Sequence, residues 1–477
     1  MSVRWPILLS TSFISFSADY FYDVPSVVHD RLTFNASACL EGRDKCLHLT
    51  AVQYDLLFAV YAWFGACIVP FSGIIADKLG CRWTLTSFGI LFFLGSAIFS
   101  SSVYFDNEQT SFILMMCGRM IFGVGSTSAS VVTSRLLSLW FKDKELGLAF
   151  AINIVAGRLG SVVNFLLTEN VAEAIGLRPT LWLGTALCGV GLVGGVVAGY
   201  IHSIGLRRLG REASEESTEP FRIGMIKQFT PSFWVLALFL VFFYAGVLPF
   251  VAEAPHYFED RFHYTPSYAG YIAGSTYDIA LISPLFGFLS DRWGRRGLWV
   301  LAAPTILLSG YILLVTIPWF PPILFCLMMG VAYTLVAAIA WSCAPLLVPE
   351  SGVGTAMGLL SSFQMFGVGV SNALIGVLLN QSNKSRMEVW DDVVWLLGSC
   401  AGVGFLMAIM LNISDYKTGY RLRASQKERA LQSKEVQTSS TETGSYKEYL
   451  IDPTESLGYG SNENSSAVFP EQRVVFF

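Results

Sequence analysis

Two stretches of the chain, GIIADKLGCRW at residues 73–83 and GFLSDRWGRRG at residues 287–297, follow one pattern. In each, three residues separate a glycine from an aspartate, and two more residues separate the aspartate from a second glycine. An arginine follows the second glycine within two residues. The two aspartates, Asp77 and Asp291, are separated by nearly half of the chain. A repeat at such a distance predicts two copies of one structural unit.

The composition identifies the environment of these units. Of 477 residues, 53% are hydrophobic and 14% are charged, which leaves too little polar surface for a soluble globule. Apolar stretches of about 20 residues, the length that crosses about 30 Å of hydrocarbon, recur along the chain. We therefore predict an all-α membrane protein with twelve transmembrane helices. The predicted spans are 5–27, 52–75, 84–104, 111–138, 147–168, 180–202, 232–257, 267–289, 298–317, 322–347, 355–379 and 389–411.

The basic residues predict the orientation. Loops after even-numbered spans are rich in lysine and arginine, whereas the opposite loops hold few. By the positive-inside rule, the basic loops and both termini face the cytosol. Acceptor triplets at Asn35 and Asn383 fall in the opposite loops, so both are predicted glycosylation sites. The basic loop residues are Lys78, Arg82, Lys142, Lys144, Arg207, Arg208, Arg211, Arg222, Lys227, Arg292, Arg295 and Arg296.

Polar segments divide the chain. The charged segment 203–231 is predicted to be a cytosolic linker between six-helix halves at 1–202 and 232–412. The tail at 413–477 is rich in Ser, Thr, Glu and Lys and is predicted to be a disordered cytosolic segment.

The nine cysteines separate into two groups. Cys39 and Cys46 lie in the first non-cytosolic loop, where an oxidising compartment permits a disulfide. The other seven lie in or beside spans, where they are predicted to pack as small apolar residues.

The opening repeat lies at the predicted cytosolic end of the second span of each half. Its glycines allow close helix approach and a sharp turn, and its aspartate can pair with an arginine or a helix N-terminus. This pattern resembles the loop signature of the major facilitator superfamily. The resemblance implies two parallel halves that rock around a central cavity in a secondary transporter. The motif itself is predicted to gate and stabilise through Gly73, Asp77, Gly80, Arg82, Gly287, Asp291, Gly294 and Arg295.

Further stretches resemble one branch of the superfamily, the lysosomal dipeptide transporters. They include YFYDVPS from Tyr20, GRMIFGVG from Gly118, and VPESGVGTAMGLLSSFQMFG from Val348. The resemblance covers all twelve spans and excludes the tail. It implies a dipeptide substrate, a lysosomal or related membrane, and a glycosylated single-span accessory subunit; a homodimer and the plasma membrane remain open.

A dipeptide zwitterion carries a carboxylate and an ammonium about 5 to 6 Å apart, so its cavity needs a cation, an anion and apolar walls. Charged residues inside spans are the candidates. Arg158, halfway through the fifth span between Gly157 and Gly160, is predicted to contact the substrate carboxylate, and the resemblance implies the same position. Arg119 in the fourth span is predicted equally to bind substrate or to hold helices together.

Four acidic residues are candidates for the ammonium or for a proton. Asp19 and Asp23 are four apart and share one face of the first helix, Asp278 is near the middle of the eighth span, and Glu253 is near the non-cytosolic end of the seventh. An ion pair with Arg158 or Arg119 is the structural alternative for each.

Aromatic and polar residues complete the predicted site. Tyr22, Trp63 and Trp341, together with Tyr244 and Tyr277, lie within spans as candidate cavity walls, with ordinary helix packing as the alternative. Thr127 stands where animal members of the branch carry an acidic residue, so a preference for cationic dipeptides is not predicted.

Other functional classes lack their motifs. The chain has no Gly-rich Lys-Ser/Thr loop, HExxH or CxxC, so we predict no enzyme activity, cofactor, metal or nucleic-acid partner. His29, His48, His256 and His263 lie on the non-cytosolic side, where they can sense acid, but their scatter does not predict a metal site. The acidic-arginine signature of proton-coupled oligopeptide transporters is absent, which favours uniport. The alternatives are a facilitator of another carboxylate-bearing metabolite or amino acid, and a non-transporting member that binds a partner.

Overall fold

The computed structural model describes residues 3–33, 47–141, 146–208, 226, 228–317, 319–348, 353–417 and 422. Within these ranges every regular element is helical. The predicted sites at Asn35, Cys39 and Cys46 lie outside the described residues, as does nearly all of the predicted tail. Only the backbone is described for Asp77, Leu146, Gly147 and Asp291.

Within the described ranges twelve long helices follow one another, so the predicted fold class is confirmed. Eleven of those described are long and apolar enough to cross a membrane; α1 completes the set and is less apolar because it carries Asp19, Asp23 and several serines. The helices are α1 (Arg4–Val27), α2 (Ala51–Ala76), α3 (Lys78–Tyr104), α4 (Glu108–Phe141), α5 (Leu146–Ile175), α6 (Leu177–Arg208), α7 (Pro231–Phe262), α8 (Pro266–Ser290), α9 (Arg296–Thr316), α10 (Pro322–Leu347), α11 (Val353–Leu379) and α12 (Arg386–Lys417).

Local chemistry fixes several helix starts. At α2, the Gln53 amide donates to the Thr50 hydroxyl and the Thr50 amide donates to the Gln53 side chain, which satisfies two backbone donors. Proline occupies the first turn of α7, α8 and α10, where its missing N–H costs nothing.

The repeated glycines differ in their roles. Gly80 and Gly294 have φ of 78° and 64°, a left-handed backbone that favours glycine at the turn after the second span of each half. Gly73 and Gly287 do not show the close approach that the sequence predicts, since a Cβ added there meets no atom within 4 Å.

The two halves repeat one packing arrangement. α1 packs against α5 and α6, and its counterpart α7 packs against α11 and α12. The halves meet through α2 with α11 and through α5 with α8. These two pairs are equivalent, because α2 corresponds to α8 and α5 corresponds to α11. Between the halves, residues of α1, α5, α8 and α10 meet around the solvent-accessible space at Arg158 and Asp19, which we call the cavity.

One end of the cavity is closed by contacts between the halves. We call it the His29 end, and the opposite end, which carries the repeated motif, the Asp77 end. At the His29 end the rings of His29 and His256 stack at 3.8 Å, and the Tyr54 hydroxyl donates to the backbone carbonyls of Pro25 and Ala252, both at 3.3 Å. These contacts join α1 and α2 to α7.

Candidate functional site

Two glycines of α5 lie directly against α1. A Cβ on Gly160 would lie 2.1 Å from the Phe16 carbonyl oxygen, and one on Gly157 would lie 2.6 Å from Asp19 Oδ2. At Gly160 the near atom is backbone, so a larger residue would need a shift of the helices, whereas at Gly157 it would displace the Asp19 side chain. The close packing that the sequence predicts at these glycines is therefore confirmed, and it sets Arg158 beside the carboxylates of α1.

Arg158 pairs with Asp19 at the centre of the molecule. Arg158 Nη1 lies 3.5 Å from Asp19 Oδ2, and the two side chains are 24% and 31% exposed. Arg158 lies near the middle of α5 and Asp19 two-thirds of the way along α1, yet both are partly exposed, so they face the cavity between the halves. A side chain from the membrane interior keeps its charge more easily when it borders such a water-filled space.

The second half supplies aromatic walls to this pair. The Arg158 guanidinium lies 5.5 Å from the Tyr277 ring centre and 5.3 Å from that of Tyr333, within range of cation–π attraction. Behind Tyr333, Trp341 Nε1 donates a hydrogen bond of 3.0 Å to the Tyr244 hydroxyl. Residues of both halves thus meet around one arginine.

Asp23 adds a second carboxylate. Its side chain is 2% exposed, its Oδ2 has no hydrogen-bond partner, and it is within electrostatic reach of Asp19, Arg158 and Arg119. We call Arg158, Asp19, Asp23, Tyr277 and Tyr333 the Arg158 cluster. Tyr22 borders it, and its ring centre lies 4.8 Å from that of Tyr61. The cluster brings together one guanidinium, two carboxyl groups and two phenol rings, of which Arg158 and Asp19 are exposed to the cavity.

Arg119 lies in a different environment. It is fully buried, donates to the Tyr22 carbonyl at 2.9 Å and to the Phe21 carbonyl at 3.5 Å, and lies 5.0 Å from the Phe58 ring centre. Of the two roles predicted for Arg119, these contacts favour holding α1 against α4.

Four other candidate residues lie away from the cluster. Asp278 is on the exposed face of α8 that also carries Tyr271 and Ile282. Thr127 donates to the Gly123 carbonyl of its own helix at 2.7 Å, and its methyl faces Gly65. Trp63 packs against Gly369 of α11, and Glu253 lies at the His29 end.

Sequence reasoning missed a second group, at the His29 end. His29 from the first half meets Glu253 and His256 from α7, and a possible ligand atom of each lies within 4.8 Å of the others. Burial and the neighbouring His256 lower the pKa of the His29 imidazole. The expectation that the histidines are scattered is therefore wrong for this pair, because the two halves meet there.

Two residues that sequence reasoning missed, Asp55 and Tyr333, differ in whether a feature of the sequence marks them. Asp55 is fully buried near Glu253, and the rule that charges inside spans are candidates would have found it, since it lies in the predicted span 52–75. Tyr333 carries no such signal, because a tyrosine in an apolar helix looks the same whether it packs or lines a cavity.

The twelve-helix bundle, its two equivalent halves and a charged cluster between them define a membrane transporter of the two-half type. The chain matches the Major Facilitator Superfamily over residues 8–372 and 279–447. It belongs to that superfamily.

Relatives and solved structures agree with this assignment. The chain is 28% identical to the lysosomal dipeptide transporter MFSD1 of Homo sapiens over 451 residues, which is 92% of this chain and 91% of the relative. It is 29% identical to that of Gallus gallus over 429 residues, 85% and 90% of the two chains. The fold is similar to that of the peptide transporter POT in complex with sulfate, with a TM-score of 0.62, 13% identity, and coverage of 88% and 96%. For a D-xylose-proton symporter the values are 0.64, 14%, 85% and 97%.

Proposed function

We propose that this protein is a secondary transporter of dipeptides. The observation that carries the proposal is the Arg158–Asp19 pair, which is exposed to a cavity between two halves in the middle of a membrane bundle. The names of its full-length relatives, which are dipeptide transporters, support the same substrate class.

The charges of the cluster suit a zwitterion. A substrate carboxylate competes with Asp19 for the Arg158 guanidinium, which offers two parallel donors, and the substrate ammonium then takes the place of the arginine beside Asp19 or Asp23. Tyr277 and Tyr333 come from the second half, so substrate held by Arg158 contacts both halves at once. Apolar dipeptide side chains are accommodated by the aromatic wall.

Transport follows from the asymmetry between the two ends. The His29 end is closed by contacts between the halves, whereas a Cβ added on Gly73 or Gly287 at the Asp77 end meets no atom of the described residues within 4 Å. Rocking of the halves that closes the Asp77 end and opens the His29 end would expose the Arg158 cluster to the other side of the membrane. Movement down a substrate gradient, which is uniport, needs no further component.

We place the protein in a lysosomal or related membrane with the Asp77 end in the cytosol. The predicted glycosylation site Asn383 is exposed and lies just before α12, whose first residue, Arg386, contacts His256 and Asp260 at the His29 end. That end therefore faces the lumen in this proposal. A glycosylated single-span accessory subunit remains part of the proposal through the family resemblance.

Counterflow into proteoliposomes tests the substrate class. Vesicles preloaded with an unlabelled dipeptide are mixed with trace labelled dipeptide, and external competitors are compared: the free dipeptide, its N-acetyl derivative, its C-terminal amide and a neutral sugar. We expect saturable exchange that only the free dipeptide competes for strongly, because each derivative loses one charge that the cluster recognises.

The competitor pattern separates the alternatives. Strong competition by the N-acetyl derivative would point to a facilitator of carboxylates and would contradict recognition of the ammonium. Absence of exchange with every dipeptide, from protein that still unfolds cooperatively on heating, would contradict transport and favour a partner-binding role.

A further inference from the structure

The closed His29 end contains donor groups of the kind that bind transition metals. His29, Glu253 and His256 each place a ligand atom within 4.8 Å of the others. Glu253 and His256 are three residues apart on α7, a spacing that directs both side chains to one face of a helix. The third group, His29, comes from the other half of the protein.

Each of the two imidazoles has a carboxylate next to one of its ring nitrogens. His29 Nδ1 lies 3.3 Å from Asp30 Oδ1, and His256 Nε2 lies 3.3 Å from Asp260 Oδ2. Metal-bound histidines commonly use one nitrogen for the ion and the other for a carboxylate, which fixes the ring and raises its basicity. The remaining nitrogen of His256, Nδ1, faces Glu253 Oε2 at 3.4 Å.

Two carboxyl groups lie buried next to each other at this end, those of Glu253 and its neighbour Asp55. Asp55 is fully buried beside Glu253; Glu253 is 1% exposed, its Oε2 faces His256 Nδ1, and its Oε1 has no hydrogen-bond partner. The two carboxyl groups are close enough to repel each other when both are ionised. Burial of two like charges is costly, and a divalent cation would neutralise both.

We propose that His29, Glu253 and His256 bind a Zn²⁺ ion that bridges the two halves of the protein, with Asp55 supplying the further negative charge. Two imidazoles and a carboxylate are a ligand set that zinc favours over magnesium and calcium, which prefer oxygen alone. Tetrahedral bonds of about 2.1 Å bring ligand atoms to about 3.4 Å from one another, so small side-chain rotations complete the site.

The position of the site gives the ion a consequence for conformation. Because its ligands come from α7 and from the segment just after α1, the ion binds only while the His29 end is closed. Zn²⁺ therefore stabilises the closed state, and the stabilisation increases as its affinity for that state increases.

Equilibrium binding to the purified full-length protein in lipid nanodiscs tests the site. Zn²⁺ is titrated against a chromophoric chelator, and Co²⁺ is used in parallel because four-coordinate Co²⁺ absorbs in the visible range. The variants are His29→Ala, His256→Ala and Glu253→Gln. His48→Ala is the matched control, since His48 is half exposed and lies next to Glu108 outside the site. Thermal unfolding of each variant reports whether it is folded.

We expect one Zn²⁺ per chain whose affinity falls about 100-fold or more in each of the three variants and is unchanged in the control. The Co²⁺ absorption should disappear with it, and millimolar Ca²⁺ should not compete. Equal affinity in wild type and in folded His29→Ala and His256→Ala proteins would overturn the proposal, as would the absence of stoichiometric binding in the wild type. If His256→Ala fails to fold, Asp260→Asn serves in its place, with an expected loss of about 10-fold.

Discussion

Two arginines of the first half, Arg158 and Arg119, lie within the same bundle but in different surroundings. Arg119 is fully buried, and its partners are the backbone carbonyls of Phe21 and Tyr22. Arg158 is 24% exposed, and its partner Asp19 is even more accessible. The first arginine completes the hydrogen bonds of a helix, whereas the second faces groups that another charged molecule can replace.

The two environments show how a functional charge inside a membrane can be recognised. Both residues satisfy the rule that an intramembrane arginine is a functional candidate. What separates them is whether the partner is fixed and whether solvent reaches the pair. A carbonyl within α1 cannot leave, but the Asp19 carboxylate can exchange one cation for another. The comparison predicts that loss of Arg158 impairs recognition and that loss of Arg119 impairs folding.

The largest expected effect on transport is that of Arg158→Ala. Loss of a charge-assisted double hydrogen bond to a carboxylate removes about 3 kcal/mol of substrate binding, or about 100-fold in exchange rate at low substrate. Counterflow of labelled dipeptide measures it. The unfolding temperature should change little, because the arginine leaves a hydrated space. Arg158→Lys should recover part of the rate through its charge, and wild-type exchange in Arg158→Ala would remove the proposed site.

The largest expected effect on stability is that of Arg119→Leu. The substitution leaves the Tyr22 and Phe21 carbonyls without a donor and opens a gap among Phe58, Tyr61 and Phe99, with an expected cost of about 3 kcal/mol. Thermal unfolding in detergent or nanodiscs measures it. Protein that remains folded should keep the wild-type Michaelis constant for exchange, and a raised constant in stable protein would mean that Arg119 contacts substrate.

Much of the fold could be predicted from the sequence because its determinants are local or repeated. Apolar stretches give the helices directly, and the repeated Gly-Asp-Gly motif identifies the two halves. The close approach at Gly160 follows from the pair of glycines around Arg158. The gap at Gly73 and Gly287 could not be predicted, because it depends on which end of the cavity is closed in this conformation.

The candidate site could be predicted only where charge marks a residue. Arg158, Asp19 and Asp23 stand out as charges within apolar helices, and the structure brings them together. Asp278 gives the same signal, yet it faces outward, since helix rotation is set by packing and not by composition. Tyr333 and the pairing of His29 with His256 depend on contacts between residues far apart in sequence, which no local pattern records.

A smaller effect is expected when the charge of Asp19 alone is removed. Asp19→Asn keeps the shape of the side chain but weakens attraction for the substrate ammonium, and Asp23 compensates in part, so we expect exchange to fall about 10-fold. Asp278→Asn is the matched control: it removes an equally central charge on the outer face of α8 and should leave exchange unchanged. An equal loss in both variants would mean that the loss reflects general damage to the bundle.

The smallest expected effect concerns the aromatic wall, which distinguishes Arg158 from a simple ion pair. The Tyr333 ring lies 5.3 Å from the guanidinium, and cation–π attraction at partly exposed sites is about 0.5 to 1 kcal/mol. Tyr333→Ala should therefore lower exchange about 3-fold, whereas Tyr333→Phe keeps the ring face and should stay within about 2-fold of wild type. Counterflow at low substrate measures both variants.

Because Arg158 and Tyr333 act on one substrate group, the effect of Tyr333→Ala should vanish in an Arg158→Ala background. Full additivity in the double variant would show instead that Tyr333 acts on another part of the substrate, and would limit the role of the second half to enclosing it.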